Sequence, residues 1–173
     1  MNTVVIYKSK TGFTKKYAEW IAEELSADIY EVSIVKLEDI KKYDVIVYGG
    51  SLYAVGINGI KFLTKNLDKL KDKKIVVFAT GASSGREDEI KGVVDRNFTP
   101  GQQKHIKFFY LRGGFDYNRL NIVDKLLMTL LKWKLKRKKE LTSDEKGMLA
   151  AYSQPIDFTN KKYIDEVITY IKS

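Results

Sequence analysis

Five short apolar runs, each rich in β-branched residues, alternate with segments whose apolar residues have helical spacing. The runs cover residues 3–7, 28–32, 43–48, 74–79 and 106–111. Runs of this kind predict buried strands, and strands that alternate with helices pair in parallel through right-handed crossovers. The alternation therefore predicts an α/β fold of three layers, with a five-stranded parallel sheet between two layers of helices. The doubly wound strand order 2-1-3-4-5 suits a chain of this size.

The predicted helices fill the segments between the strands. They cover residues 15–25, 60–70 and 86–97 and, near the end of the chain, 157–171. In the first of them, Tyr17, Ile21 and Leu25 recur at helical spacing, which predicts an amphipathic helix packed on the sheet. Residues 98–103 contain Pro100-Gly101 and are expected to form a turn.

Length and composition narrow the class of protein. The 173 residues are expected to form one domain, residues 1–173, with an insertion at about 115–150. The chain has no cysteine and one histidine, His105, which excludes thiolate chemistry and argues against protein-bound zinc or haem. The first strand begins too early for a signal peptide, and no apolar run approaches the roughly 20 residues that span a bilayer. We therefore expect a cytoplasmic protein.

The segment 9–14 joins the first strand to the first helix. Free N–H groups in the first helical turn and the positive end of the helix dipole favour an anion at such a position. Hydroxyl groups add neutral donors, and the glycine lets the backbone turn closely around a ligand. An alternative is an ordinary helix start capped by Thr14, but the acidic partner of a capping box is missing at Tyr17. The phosphate contacts are expected from Ser9, Lys10, Thr11, Gly12, Phe13 and Thr14.

Three further strand ends carry small, flexible or hydroxyl-bearing residues, at 49–53, 80–84 and 113–117. Because parallel strands end at the same edge of a sheet, these loops and segment 9–14 are expected to converge on one site. A planar ring would lie across the three loops, where glycines permit close approach and aromatic side chains stack.

Other anion-binding loops fit the first loop less well. A P-loop ends in Gly-Lys-Ser/Thr, and a dinucleotide-binding turn has three glycines where this loop has one. A phosphoacceptor receiver domain needs an aspartate at the end of the third strand, where Gly49-Gly50 stand. A mononucleotide monophosphate remains as the expected ligand.

The pattern Ser9-x-Thr11-Gly12-x-Thr14 after the first strand resembles the phosphate loop of flavodoxins. The runs Gly50-Ser51-Leu52-Tyr53 and Thr80-Gly81-Ala82 fall where that family has its two ring-contacting loops. The resemblance covers nearly the whole chain. It implies a flavodoxin-like fold that binds flavin mononucleotide (FMN) non-covalently.

The resemblance also implies roles for individual residues around the flavin ring. Leu52, Tyr53 and either Phe115 or Tyr117 are the candidates for stacking on the ring, and Asp116 is the ionisable candidate nearest to it. Backbone amides at Gly50, Ala54, Gly81 and Gly114 are expected at its polar edge. No catalytic acid or base is assigned, because electron transfer to a flavin needs none. The ring-contacting set is Gly50, Ser51, Leu52, Tyr53, Ala54, Thr80, Gly81, Ala82, Gly114, Phe115, Asp116 and Tyr117.

Residues 122–139 predict a strongly basic amphipathic helix inserted after the fifth strand. They contain seven Lys or Arg against one acid, Asp124, and so contribute +6 to the net charge of +9. Ile122, Leu126, Leu130 and Trp133 form an apolar face. Together with the run 113–117, this insertion is similar to that of menaquinone-dependent protoporphyrinogen dehydrogenases, in which a basic insertion is implicated in membrane or quinone contact.

Three functions remain open from the sequence. The first is an FMN-dependent electron carrier or reductase whose partner is a redox protein or a quinone. The second is a protoporphyrinogen IX dehydrogenase that uses menaquinone as acceptor, and the third is a flavin-free interaction module. The segment 122–139 either covers the domain itself or makes peripheral contact with the inner face of the cell membrane. No recognition motif supports nucleic-acid binding.

Overall fold

The computed structural model describes residues 1–173, except for the side chain of Asp144. Five strands pair in parallel in the order β2-β1-β3-β5-β6, and the short β4 pairs antiparallel with the end of β3. Counted along the chain, the parallel strands have the order 2-1-3-4-5, which confirms the predicted flavodoxin-like fold class. The strand bounds are β1 Thr3–Lys8, β2 Asp28–Glu31, β3 Val45–Tyr53, β4 Gly56–Ile57, β5 Lys74–Gly81, β6 Ile106–Arg112, β7 Gly114–Phe115 and β8 Ile156–Asp157.

Helices lie on both faces of the sheet. Single 3₁₀ turns occupy Val32–Ile34, Leu67–Leu70, Tyr117–Arg119 and Lys161–Ile164. The α-helices are α1 Phe13–Leu25, α2 Leu37–Ile40, α3 Lys61–Thr64, α4 Glu87–Asn97, α5 Pro100–Gln103, α6 Ile122–Lys136, α7 Ser143–Ala151 and α8 Asp165–Lys172.

Two predicted helices and a predicted turn were wrong in extent or type. The helix predicted over 60–70 is interrupted at Asn66, whose side-chain amide donates to the carbonyl of Phe62 and so competes with the helical backbone. The closing helix starts at Asp165 rather than 157, because Asp157 belongs to β8. The turn predicted at 98–103 contains the one-turn helix α5, with Pro100 in its first turn after the N-cap Thr99.

The apolar runs of the central strands are buried on both faces, as their composition predicts. One cluster packs β-strand residues against the loop and helices after β3, and its members include Ile6, Ile46, Val77, Leu63 and Leu70. The other packs the opposite face against α1 and α8, and its members include Val5, Val47, Phe78, Tyr17, Ile21, Val167 and Ile171. These two layers hold the strand ends rigidly at one edge of the sheet.

β3 extends beyond its predicted end at residue 48 and continues to Tyr53. Gly49 and Gly50 lie inside the strand: a Cβ at Gly49 would overlap the ring of Phe78, and one at Gly50 would overlap Ile57. The missing side chains therefore let β4 and the Phe78 ring close over this strand. The residues predicted as a loop are the extended end of a strand.

The insertion after the fifth parallel strand is bracketed by a two-stranded antiparallel ribbon. Gly114 pairs with Asp157 and Phe115 with Ile156, so the chain leaves and re-enters the domain at the same place. Between the two strands lie α6, which confirms the predicted basic helix, and α7, which was not predicted. The start of α7 is a reciprocal cap between Thr142 and Glu145, a local signal that the sequence does contain. Within the described part of the chain, no helix combines the length and apolarity needed to cross a membrane.

Asp157 links the ribbon to α1, and we expect it to make the stability of the fold sensitive to acid. Partial burial works against its ionisation, but hydrogen bonds from Thr159 and Lys16 outweigh this and lower the pKa of the carboxyl group. A carboxylate whose pKa is lowered by folding stabilises the fold above its unfolded pKa of about 3.9, and that stability is lost as pH falls through the folded pKa.

We therefore expect Asp157→Asn to lower the free energy of unfolding at pH 7 by at most about 1 kcal/mol, because solvent screens the half-exposed carboxylate. The variant should also lose less stability than the parent on acidification below about pH 4. Thermal unfolding from pH 7 to pH 2.5 measures both effects, with Glu140→Gln as a matched loss of one acid. Parallel pH profiles of Asp157→Asn and the parent would contradict this expectation.

Candidate functional site

A cavity of about 420 Å³ lies at the carboxyl edge of the sheet. Residues from all four loops predicted to converge line it, together with residues of the insertion. The first loop supplies Lys10, Thr11 and Phe13, and the other loops supply Ser51, Leu52, Tyr53, Ala54, Thr80, Gly81, Ala82, Gly114 and Phe115. The size is in the range of pockets that bury a cofactor or another small molecule.

The first loop presents an uncapped helix start. Gly12 is the N-cap of α1 with φ of 97°, a left-handed conformation that favours glycine, and no side chain accepts from the first turn. The first turn of α1 contains no acidic residue, and Ser9 Oγ accepts a hydrogen bond from the Gly12 N–H at 3.1 Å. Helical N–H groups with neither a side-chain cap nor an acidic residue in the first turn suit an anion, so the residues present fit a phosphate group.

Thr14 does not cap α1, which contradicts the alternative of a Thr14-capped helix start. It lies within the helix and is buried, and its hydroxyl shares a hydrogen bond of 2.6 Å with the hydroxyl of Thr80. This contact joins the first loop to the end of β5. Of the loop residues predicted to bind phosphate, Ser9, Gly12 and Thr14 stand outside the cavity lining.

Tyr17 fixes the position of α1 beneath the loop. Its hydroxyl donates to the carbonyl of Arg112 at 2.6 Å and accepts from the N–H of Asn160 at 3.2 Å. Burial raises the pKa of Tyr17 to about 12, so the phenol remains neutral. The helix start is thereby held against β6 and the C-terminal segment.

The ends of β3 and β5 form one wall of the cavity. Ser51 to Ala54 and Thr80 to Ala82 line it, whereas Gly50 does not. The space that a Gly50 side chain would take is filled by Ile57 and Asn58. Ala54 has φ of 51° at the tight turn between β3 and β4. The ring of Tyr53 lies beneath the Lys10 ammonium group, with Nζ 4.4 Å from the ring centroid.

The predicted run 113–117 divides between the cavity and the insertion. Gly114 and Phe115 line the cavity. The Tyr117 ring packs on Tyr152 at a centroid distance of 5.4 Å, and its hydroxyl bonds to Thr129 of α6. Asp116 caps the turn that follows and pairs with Arg119. Of the two aromatic stacking candidates, Phe115 is therefore the one that faces the cavity.

The insertion supplies cavity residues that sequence reasoning missed. They come from the segment before α6, from one face of α6 and from α7: Leu120, Asp124, Leu127, Met128, Leu131 and Met148. Leu127 and Leu131, which lie next to the predicted apolar face of α6 in the sequence, were the available signal. Lys10 and Asp124 are the charged residues in the lining among those the structure describes.

Comparisons with known proteins agree with this architecture. A family model described as a flavodoxin domain matches residues 4–142. An uncharacterized protein of Methanocaldococcus jannaschii is 37% identical over 83 residues, which make up 46% of this chain and 54% of that protein. The match thus spans about half the length of that curated relative.

The fold is shared with a solved structure. The flavodoxin, WrbA-like protein from Agrobacterium tumefaciens superposes with a TM-score of 0.51 at 19% identity, over 71% of this chain and 87% of that one. A flavodoxin from the domain Archaea aligns over 100% of both chains with 14% identity and a TM-score of 0.48.

Proposed function

The chain belongs to the flavodoxin domain family, and from that premise we propose that it is a redox protein that binds FMN without a covalent bond. The observation that carries this proposal is the cavity at the carboxyl edge, where all four predicted loops meet beside an uncapped helix start. Electron transfer is the chemistry that the flavin supplies when bound. The protein's own residues bind it, orient it and limit the access of water.

The first loop would hold the phosphate. The N–H groups at the start of α1 and the hydroxyls of Ser9 and Thr11 are the proposed donors. The Thr14 hydroxyl is already shared with Thr80, so its part is to join the loop to β5. The proposed side-chain ligands of the phosphate are therefore Ser9 and Thr11, and the remaining donors are the backbone N–H groups at the start of α1.

The apolar part of the cavity would hold the ring. Leu52, Tyr53 and Phe115 provide flat or apolar surface, and the backbone at Gly81 and Gly114 lies at the same edge. Leu127 and Leu131 of α6 extend this surface across the cavity, where they exclude water from the ring. A simple flavodoxin-like sheet without the insertion would leave this side open.

Titration with FMN tests the proposal. We expect quenching of flavin fluorescence that saturates at one FMN per chain, with riboflavin binding more weakly because it lacks the phosphate. A protein that is colourless when purified and takes up neither flavin would contradict the proposal. That result would favour the flavin-free interaction module.

The apolar wall from the insertion favours one finer function, a dehydrogenase that passes electrons from protoporphyrinogen IX to a quinone. Leu127, Met128 and Leu131 on α6, with Met148 on α7, give the cavity an apolar side suited to an apolar acceptor. Anaerobic oxidation of protoporphyrinogen IX with a menaquinone analogue tests this. An FMN-loaded protein that fails to oxidise it would instead be an electron carrier or a reductase with another partner.

We also propose that α6 makes peripheral contact with the anionic cytoplasmic face of the membrane. The helix exposes a continuous apolar stripe to solvent, with 87% exposure at Ile122, 62% at Leu126 and 56% at both Leu130 and Trp133. Its C-terminal end carries a cluster of lysine and arginine residues that attracts anionic lipid. The same helix therefore lines the cavity with one side and exposes apolar residues with the other.

The triple substitution of Leu126, Leu130 and Trp133 by glutamate should weaken binding to phosphatidylglycerol-containing vesicles at least about tenfold, as measured by sedimentation. Point substitutions are preferable to deletion of 122–139, because deletion would also remove part of the cavity wall. Ile34→Glu controls for a glutamate at an exposed apolar position, since Ile34 is 70% exposed and lies in the 3₁₀ turn after the edge strand β2. Unchanged vesicle binding by the triple variant would refute the membrane contact.

A further inference from the structure

An ion pair joins the first loop to the inserted helix. Lys10 Nζ lies 2.7 Å from Asp124 Oδ2, across 114 residues of sequence. The Asp124 side chain is 7% exposed and the Lys10 side chain 30%. An aspartate so deeply buried depends on its partners, because an unpaired carboxylate in that place would be strongly destabilising.

One further contact holds the same end of the insertion on the loop, and a cap fixes Asp124 at the start of α6. Arg119 Nη1 donates to the carbonyl of Thr11 at 3.2 Å. Asn121 caps α6 by accepting from the Asp124 N–H, and its side-chain amide donates to Asp124 Oδ2 at 2.9 Å. The start of α6 therefore depends for its position on Lys10 and Thr11, two residues of the loop that is proposed to bind phosphate.

A phosphate group in the loop would change the balance of charge around Lys10. A phosphate monoester carries close to two negative charges at neutral pH. It would attract the ammonium group of Lys10, a residue of the loop itself, and repel the carboxylate of Asp124. Both effects weaken the ion pair, and neither is produced by the same ring without its phosphate.

We propose that the Lys10–Asp124 ion pair is a latch that a phosphorylated ligand opens. Phosphate in the loop 9–14 draws Lys10 away from Asp124, and the N-terminal end of α6 separates from the loop as the carboxylate moves toward water. α6 carries both the apolar cavity wall and the exposed apolar stripe. When the latch opens, the helix changes its orientation and the ring becomes more accessible, so both depend on whether the cofactor is bound. The inference rests on the proposed function, since FMN is the phosphorylated ligand.

Hydrogen exchange on the intact protein, measured with saturating FMN and with saturating riboflavin, tests the latch. We expect amides 122–128 to exchange about tenfold faster with FMN than with riboflavin, a typical size for coupling between two sites. By the reciprocity of linked equilibria, Asp124→Asn should raise the ratio of FMN affinity to riboflavin affinity by a similar factor. In Asp124→Asn and in Lys10→Met, exchange of these amides should be raised already without flavin, and FMN should add nothing further.

Glu140→Gln controls for a general loss of negative charge in the insertion and should leave both the exchange and the affinity ratio as in the parent. Equal or slower exchange with FMN than with riboflavin would overturn the latch while leaving FMN binding intact. An affinity ratio in Asp124→Asn equal to that of the parent would also overturn it. A protein that binds neither flavin would overturn the proposed function, and the latch with it.

Discussion

Replacing Thr11 by aspartate is expected to lower FMN affinity about 100-fold relative to riboflavin affinity. Thr11 lies in the cavity lining directly before Gly12, the N-cap of α1. A carboxylate roughly 5 Å from a phosphate charge repels it by about 3 kcal/mol at an effective dielectric constant near 20, which corresponds to more than 100-fold in affinity. Riboflavin carries no phosphate and escapes this repulsion.

Thr11→Asn is the matched control, because asparagine has the shape of aspartate without its charge. It should change the ratio of the two affinities by much less. Neither variant should unfold the protein, since aspartate and asparagine are both favoured at helix starts and a carboxylate there also interacts favourably with the helix dipole. Equal losses of FMN and riboflavin affinity in Thr11→Asp would place the phosphate elsewhere and contradict the proposed role of the loop.

The second large effect is expected in the core, where Gly49→Ala should lower the free energy of unfolding by about 3 kcal/mol. Gly49 of β3 is the register partner of Phe78 in β5, and a Cβ at Gly49 would overlap the Phe78 ring. The ring is fully buried and cannot rotate away into solvent. For a chain of this length, the loss corresponds to a fall in Tm of about 6–12 °C.

A double-mutant cycle assigns the cause. Phe78→Ala alone should cost about 4 kcal/mol, because it leaves a cavity in the core. Adding Gly49→Ala to Phe78→Ala should then cost at least about 2 kcal/mol less than it costs in the parent. Chemical denaturation of the flavin-free proteins measures all four corners of the cycle.

Gly92→Ala is a control that should raise the free energy of unfolding instead of lowering it. Gly92 lies in α4, and a Cβ there meets nothing within 4 Å. Alanine should therefore stabilise the helix by up to about 1 kcal/mol. If Gly49→Ala costs the same with and without the Phe78 ring, contact with the ring is not the reason for glycine at that position.

Several features of the site could be predicted because they follow from local patterns. Apolar runs and helical spacing define the strands and helices, and parallel pairing then requires the strand ends to meet at one edge. The meeting of the loops after β1, β3, β5 and β6 in one cavity needed no knowledge of individual contacts. The binding roles of these residues stay predictions, which the flavin titrations test.

The errors in the predicted elements arose from local signals that the spacing of apolar residues in a strand or helix does not reveal. The reciprocal cap of Thr142 and Glu145 marks the start of α7, and Asn66 interrupts a helix with its own side-chain hydrogen bond. Gly49 and Gly50 suggest a loop when read locally. They continue a strand because the Phe78 ring and β4 occupy the space that their side chains would take.

The apolar pattern of this chain thus defined its parallel sheet and the edge at which a ligand would bind, and the length of the chain suited the strand order. Only the tertiary structure placed Asp124 beside Lys10, turned Phe115 toward the cavity and Tyr117 away from it, and gave α6 a cavity-facing side as well as an exposed one. The physical reason is distance along the chain. The spacing of apolar residues in a segment indicates which side of it is buried. Contacts between residues 114 positions apart depend instead on how the insertion folds back over the edge of the sheet.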